Sequence, residues 1–428
     1  MKRNGIIRNL ARAAMMMVAL VLATLSAEGQ MIAEADTLRT PTEAEADSLR
    51  KTDGFVTASM LVATPGEEGY SALGHCALRM ECPVYGLDYC FSFESNSGRA
   101  ATDYLRYFRG RTPAGFIAME TPFYLERFQN EGRGVVQYTL NLNPQQKQEL
   151  WRRLDENMME GISTQFDFLY YNCTSMCLAA ISNQLLDEHL EIREWPELMQ
   201  GADIDLITHY TSHAPWMQFV LVTIMGSKID LRTPMERRVA PEVIGEVMEH
   251  AVIVRPDGTE RPALLGQPQQ LLPQTLILRS TWFTPLLLAV ILLVLVVLLT
   301  LGEWFWGWRR VALGTDVALL VVQALLGVVL LYVVTVSNLF GQHWNWCLLL
   351  FTPLPLVVWA CCRRRTLYRR LALLYGAIML VLAIAAPLIT AQFIAAHRLT
   401  SAAVAVRSLS CAAKLKWNRN KLSINSKN

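Results

Sequence analysis

Several absences narrow this sequence before any motif does. There is no CxxC…CxxC pattern, so a structural zinc site of the usual spacing is excluded, and metal is not expected. There is no Gly-rich phosphate loop and no internal repeat, which leaves P-loop nucleotide chemistry and solenoid architectures without support. Charge of one sign is also missing. Lys and Arg number 39 against 37 Asp and Glu, for a formal net charge of +2, and no long basic stripe lies in the soluble part. Nucleic acid is therefore not an expected partner. Cysteine is present nine times, an odd number, so at least one thiol stands outside any intrachain disulfide.

Charged residues make up only 18% of the 428, and hydrophobic residues 52%. These averages conceal a division. Residues 50–275 have ordinary soluble-domain composition, whereas 283–394 are mostly Leu, Val and Ala. Ahead of both, Lys2, Arg3, Arg8 and Arg12 precede an apolar run, 13–27, that ends in Ala27-Glu28-Gly29. This reads as a signal peptide over 1–29, with an uncleaved anchor as the alternative; either form exports the domain behind it. Residues 30–50, rich in Glu, Ala, Thr and Asp, read as a flexible tether.

In the apolar half, 283–301, 311–336, 347–362 and 371–394 each approach spanning length, which predicts a bundle of about four transmembrane helices over 283–394. The third carries Pro353 and Pro355 and is expected to kink or re-enter. Trp304, Trp306 and Trp308 followed by Arg309 and Arg310, and the arginines at 363–365, 369 and 370, mark cytoplasmic edges. The N-terminal domain then lies outside an inner, cytoplasmic membrane crossed several times. The basic tail, 395–428, fits poorly, because four spans return it to the outside; a surface-lying or partly re-entrant stretch at about 391–415 would ease the conflict.

Within 51–275, residues 55–64, 75–80, 89–93 and 135–142 read as strands. Asn143-Pro144 opens a helix with a stripe of Leu150, Trp151, Leu154 and Met158. Residues 217–225 are too short to span and read as a buried or membrane-touching helix. Asn172 is the N-cap of another helix, expected to run to about residue 190. The class is therefore α+β.

Cys173 falls in the first turn of that helix, where unpaired N–H groups and the dipole favour a thiolate. An imidazole can generate such a thiolate and return a proton to a leaving group, and His75 on a strand is the candidate. Helix-start N–H groups, with Asn172 beside them, are placed to support an oxyanion. Cys76, next to the histidine, is a rival thiol on the opposite strand face. Cys177 reads as core packing.

Gly74-His75-Cys76-Ala77-Leu78-Arg79 followed by Tyr171-Asn172-Cys173-Thr174 resembles the paired blocks of the Lnb N-terminal periplasmic domain family. Pro215-Trp216, Gly226, Asp230, Pro241, residues 251–261, Asn345 and Pro353-Leu354 resemble its later blocks. The resemblance implies a permuted papain-like fold, close to the NlpC and retinol-acyltransferase group, in which histidine precedes cysteine. It implies a lipoprotein N-acyltransferase without metal or nucleotide cofactor. Such an enzyme carries a fatty acyl chain from a membrane phospholipid, through a thioester on Cys173, to the α-amino group of a bacterial lipoprotein's diacylglyceryl-cysteine. His75 is then the base, and Ser92 on the next strand the expected third group, with Asp88 and Glu94 as rivals. Arg79 either meets a lipid phosphate or supports its strand, and Asn345, in the hairpin 338–346, is expected near the lipid entrance. The alternatives are an NlpC-like peptidoglycan endopeptidase or amidase, and a non-catalytic membrane scaffold.

Overall fold

The computed structural model describes residues 43–425, apart from 69–70, 96–101, 103–105, 108, 162, 227–239 and 340–342, with side chains to Lys414. The expected signal segment, most of the tether and Asp230 lie outside the described residues. The last part of the expected tether is instead a short helix, α1 (Glu43–Leu49), which buries Ala46. Then come β1 (Thr57–Ala63), β2 (His75–Cys82), β3 (Leu87–Ser95), β4 (Pro113–Glu120), α2 (Thr121–Asn130), β5 (Val135–Thr139), α3 (Pro144–Met159), β6 (Thr164–Gln165) and α4 (Cys173–Ser182). Beyond them lie β7 (His189–Ile192), α5 (Asp203–Tyr210), α6 (Pro215–Ile224), α7 (Pro241–Glu249), β8 (Ala251–Val254), β9 (Glu260–Pro262) and β10 (Gln269–Leu272).

Seven strands form one antiparallel sheet in the order β10-β5-β1-β2-β3-β4-β6, and β7-β8-β9 form a second. Strand β1 is central and covered on both faces, which is why Met60, Leu61, Val62 and Ala63 run without a polar residue. Met60, Val62, Cys76, Leu78 and Met80 point to a core shared with Leu150 and Leu154 of α3, Cys177 and Ile181 of α4 and Val243 and Ile244 of α7. Leu61, Ala63, Ala77 and Cys90 point the other way, onto Tyr124 and Phe128 of α2. The larger of these side chains contribute roughly 1.5–3 kcal/mol each when fully buried, so the two-sided cover fixes the register of β1 and β2. Of the stripe expected on α3, Met158 in the last turn faces outward.

Helix α4 stops at Ser182, eight residues short of the length its sequence suggests. Residues 189–192 pair instead with β8, and this long-range ladder outweighs local helical preference.

The C-terminal half is helical: α8 (Pro285–Phe305), α9 (Arg309–Val336), the pair α10 (Cys347–Leu350) and α11 (Leu354–Cys361), α12 (Arg365–Ala385), and α13 (Ala395–Asn425). Among the described residues, three helices are long and apolar enough to cross a membrane: α8, α9 and 365–388. The break between α10 and α11 falls at Thr352-Pro353, whose backbone lies so close to α9 that a Cβ on Gly327 would meet it at 2.7 Å.

Helix α13 does not lie on the surface. It packs lengthwise against α12 and α8 and buries Ala396, His397, Ser401, Ala403, Ala405, Arg407 and Ala412. Arg407 donates to both oxygens of Asp316 on α9 (2.7 and 2.6 Å) and to Glu303 on α8 (3.1 Å), and Lys414 pairs with Glu303 at 2.7 Å. The far part of α13 thus reaches the end of the bundle that carries Arg309 and Arg310. Arg407 and Lys414 of the basic tail lie at that basic edge.

Candidate functional site

Cys173 is the first residue of α4, and Asn172 before it closes a capping box with Ser175. The Ser175 N–H donates to Asn172 Oδ1 at 2.9 Å, and the Asn172 N–H donates to Ser175 Oγ at 3.0 Å. A cap of this kind contributes about 1 kcal/mol. The Asn172 amide also donates to the Phe168 carbonyl at 2.9 Å. Its side chain is therefore fully engaged in shaping the turn that presents the thiol. The N–H groups of Cys173 and Thr174, by contrast, have no acceptor among the described residues.

His75 is the first residue of β2, preceded by Gly74 at φ +90°, where a Cβ would meet the Ala63 carbonyl oxygen at 2.7 Å. Glycine is required there to bring the chain into the strand. Register places Ala77 opposite Ser92, so side chains two residues on, His75 and Glu94, share that face with Ser92. Close contacts result from this placement. His75 Nε2 lies 2.6 Å from Ser92 Oγ and 3.4 Å from Glu94 Oε1, and Ser92 donates its hydroxyl proton to Glu94 Oε1 at 2.8 Å. With its one proton committed to Glu94, the serine oxygen accepts from the histidine, so Nε2 carries a proton and Nδ1 is left for the thiol. Arg127 on α2 holds both oxygens of Glu94, and Phe128 stacks on the imidazole with ring centroids 6.2 Å apart.

The imidazole and the Cys173 thiol are close enough for each to act on the other's charge, and the thiol sulfur lies 4.0 Å from Thr174 Oγ1. Burial works against a charged His75, but the Cys173 thiolate and Glu94 outweigh it and lift the histidine to about 9. Burial likewise opposes the thiolate, yet His75 beside it and the Cys76 N–H bring Cys173 below the ordinary thiol range. Burial pushes Glu94 up as well, but His75 and Arg127 reverse this and hold it well below the usual carboxylate range. Charge and burial thus shift Cys173 toward thiolate and His75 toward imidazolium, with Glu94 held as a clamped carboxylate behind them.

The other residues singled out in the sequence have different surroundings. Arg79 pairs with both oxygens of Asp88 (2.9 and 2.8 Å), with Glu81 (2.9 Å) and with Gln137 (2.7 Å), so Arg79 and Asp88 brace the sheet away from His75. Cys76 is fully buried, and Cys177 beside it, together with burial, pushes its thiol well above the ordinary range. It lacks the character of a nucleophile. Asn345 donates to two carbonyls at the end of α6 rather than to the thiol. Arg127 and Phe128 had no local signal in the sequence: the contact joins a helix to a strand 33 residues earlier.

The site abuts the helical bundle. Leu73, two residues before His75, and Leu169, four before Cys173, share an apolar cluster with Val222 and Met225 at the end of α6. Ala391 and Ile394, between α12 and α13, pack against it. Tyr171 stands half-exposed beside the cysteine.

Comparison with known proteins found no match among curated proteins and none among solved structures. Two family models do match: residues 51–208 correspond to the Lnb N-terminal periplasmic domain, and residues 277–417 to the Lnb transmembrane domain. The first contains every residue of the cysteine–histidine site, and the second contains the bundle on which that site rests, so the chain is a membrane protein of the Lnb family.

Proposed function

We propose that this protein is a lipoprotein N-acyltransferase working at the outer face of the inner membrane, with Cys173 as nucleophile and His75 as proton carrier. The observation that carries the reading is the seating of Cys173 and His75, each shifted toward its charged form, in loops that pack on the end of the membrane bundle. A glycerolipid ester and a lipoprotein amine both lie at that level. A wall-directed hydrolase needs reach away from it.

The Cys173 thiolate attacks the ester carbonyl carbon of a membrane phospholipid, and the unpaired N–H groups of Cys173 and Thr174 meet the oxyanion that forms. When the carbon–oxygen bond breaks, imidazolium His75 gives its Nδ1 proton to the departing glyceryl oxygen. The acyl chain is then a thioester on Cys173. The free amine of the lipoprotein's diacylglyceryl-cysteine attacks that thioester, and the now neutral His75 takes the amine's proton as the carbon–sulfur bond breaks. Ser92 and Glu94 keep Nε2 protonated throughout, so the same ring nitrogen acts in both half-reactions. Antiparallel strands ahead of a cysteine-bearing helix, with histidine before cysteine in the chain, support a permuted papain-like arrangement.

The test is mass spectrometry of lipoprotein N-termini from cells carrying the intact protein, its Cys173→Ala variant, or neither. One additional acyl chain on the cysteine amine with the intact protein alone is the expected result. An acylated amine without a gain in mass would assign the donor ester to the lipoprotein's own glyceryl group. Identical unmodified amines in all three strains, with the protein present in the membrane, would sink the acyltransferase reading.

A further inference from the structure

The C-terminal end of α6 poses a problem that the bundle solves. The last carbonyls of a helix have no partners within it, and here they lie among apolar side chains, where leaving a carbonyl unpaired is costly. Asn345, just before α10, donates its amide to the carbonyls of Thr223 (2.8 Å) and Met225 (3.0 Å). Gln392, between α12 and α13, reaches the carbonyl of Val222 at 3.4 Å, and its own oxygen accepts the Trp346 N–H at 3.1 Å. His397 on α13 stacks on Phe219 with centroids 4.5 Å apart, and its Nε2 lies 2.8 Å from Thr223 Oγ1. That hydroxyl donates to the Phe219 carbonyl, so the ring nitrogen is the donor.

Three groups from two separate parts of the bundle thus hold one helix end. Both Asn345 and Gln392 are buried. What this end touches on its other side is the cluster of Leu73 and Leu169, the residues that lead into His75 and Cys173. The chain of contacts is short: bundle amide, α6 carbonyl, Val222 and Met225, then the two loops that present base and nucleophile.

We propose that Asn345 and Gln392 are positioning residues that clasp α6 to the bundle and thereby set the thiol at the level of a membrane-embedded glycerolipid ester. The inference rests on the acyl-transfer reading above and adds to it a fixed working depth. Attack requires the sulfur within about 3–3.5 Å of the ester carbon, and displacement of about 1 Å can cost a hundredfold in rate. A soluble ester diffuses to the thiol wherever it sits, whereas a lipid ester is held by its own chains. Loosening the clasp therefore discriminates between the two kinds of substrate, while leaving the chemistry of the pair intact.

The experiment uses full-length protein in phospholipid vesicles, with a diacylated lipopeptide bearing a free amine as acceptor and p-nitrophenyl acetate as soluble ester. Asn345→Ala, Gln392→Ala and Asn345→Asp are compared with the unmodified chain. Asn345→Asp keeps the oxygen that accepts from the Cys347 N–H at 2.8 Å and replaces the donors to α6 with an anionic oxygen that repels the Thr223 and Met225 carbonyls. Each variant is expected to lose about tenfold or more in lipopeptide acylation. Release of p-nitrophenol and the pH profile of Cys173 alkylation by iodoacetamide should both stay as in the parent. Equal acylation by parent and variants overturns the proposal, as does a parallel fall in all three readouts, which would mean the loops have lost their structure. A parent that cleaves the soluble ester but never modifies the lipopeptide overturns the acyl-transfer reading, and the clasp proposal with it.

Discussion

Arg127 grips both carboxylate oxygens of Glu94, Nη2 to Oε1 at 2.9 Å and Nη1 to Oε2 at 3.2 Å, and so shares Oε1 with Ser92 and His75. That grip ranks the groups behind the histidine. Glu94 is itself within 3.4 Å of Nε2, so removal of the serine hydroxyl leaves a charged acceptor nearby. Ser92→Ala is expected to lose only a few-fold in kcat. Glu94→Gln removes the charge that favours imidazolium and leaves Arg127 facing a neutral amide; a loss of about a hundredfold is expected, on the scale of general acid–base catalysis. Arg127→Met should fall between them. Steady-state acyl transfer by the three purified variants checks the ranking, and a Ser92→Ala defect larger than that of Glu94→Gln would reverse the assignment.

The pair predicts its own pH dependence. A thiolate is lost as pH falls through the lowered value of Cys173, and imidazolium is lost as pH rises through about 9. Between them both reactive forms coexist, so the rate of acyl transfer should plateau and then decline on the alkaline side near 9. Alkylation by iodoacetamide needs only the thiolate, so it should persist to lower pH than for an ordinary thiol. In Glu94→Gln, the alkaline limb of the transfer profile should move to lower pH, because one of the groups raising His75 is gone. An alkaline limb unmoved by this substitution would disconnect Glu94 from the histidine.

How much of this could be read from the chain differs from residue to residue. Cys173 and Asn172 were legible because a helix start is a local event: the cap, the first turn and the thiol are adjacent in sequence. His75 was legible through the strand pattern around it and the resemblance of its neighbours. The third group was only narrowed to Ser92, Asp88 and Glu94, since strand alternation puts all three on the histidine's face and only the register separates them. Register is set by burial across the whole sheet, and it gives Ser92 and Glu94 to His75 and Asp88 to Arg79. Arg127 belongs to a helix that covers the sheet from outside, a tertiary contact with no sequence spacing to betray it. The end of α4 was misread for the same reason: a ladder to residues about sixty positions on claimed 189–192.

Cys76 offers a direct check on which thiol reacts. Its side chain is fully buried against Cys177, while its backbone N–H faces Cys173. Substitution by alanine removes the buried thiol and keeps the N–H, so Cys76→Ala should retain most acyl transfer at a stability cost of about 1 kcal/mol, typical of a small core change. Cys173→Ala should retain none. Intact-mass analysis after brief iodoacetamide treatment should find one soluble-domain adduct in the parent and in Cys76→Ala, on Cys173 in both. Loss of transfer in a folded Cys76→Ala protein would make Cys76 the nucleophile and overturn the site.

The charge cluster at the far end of the bundle yields a prediction about stability rather than chemistry. Arg407 is bound to Asp316 and Glu303, whose side chains are 26% and 14% exposed, while Lys414 also pairs with Glu303. Removing the arginine leaves Glu303 a partner in Lys414 but strips Asp316 of its hydrogen-bonded cation in a largely apolar setting. Breaking a buried pair in this one-sided way costs about 3–5 kcal/mol, whereas replacing both members can be close to neutral. Arg407→Leu should therefore lower the unfolding temperature of the detergent-solubilised protein by several degrees, and Arg407→Leu combined with Asp316→Asn should restore most of it. Iodoacetamide labelling of Cys173 in the surviving folded fraction should be unchanged in both, because the cluster and the thiol occupy opposite ends of the bundle. If the double variant is less stable than the single one, Arg407 acts through packing of its stem against α8 and α9, and its charge is not what ties α13 to them.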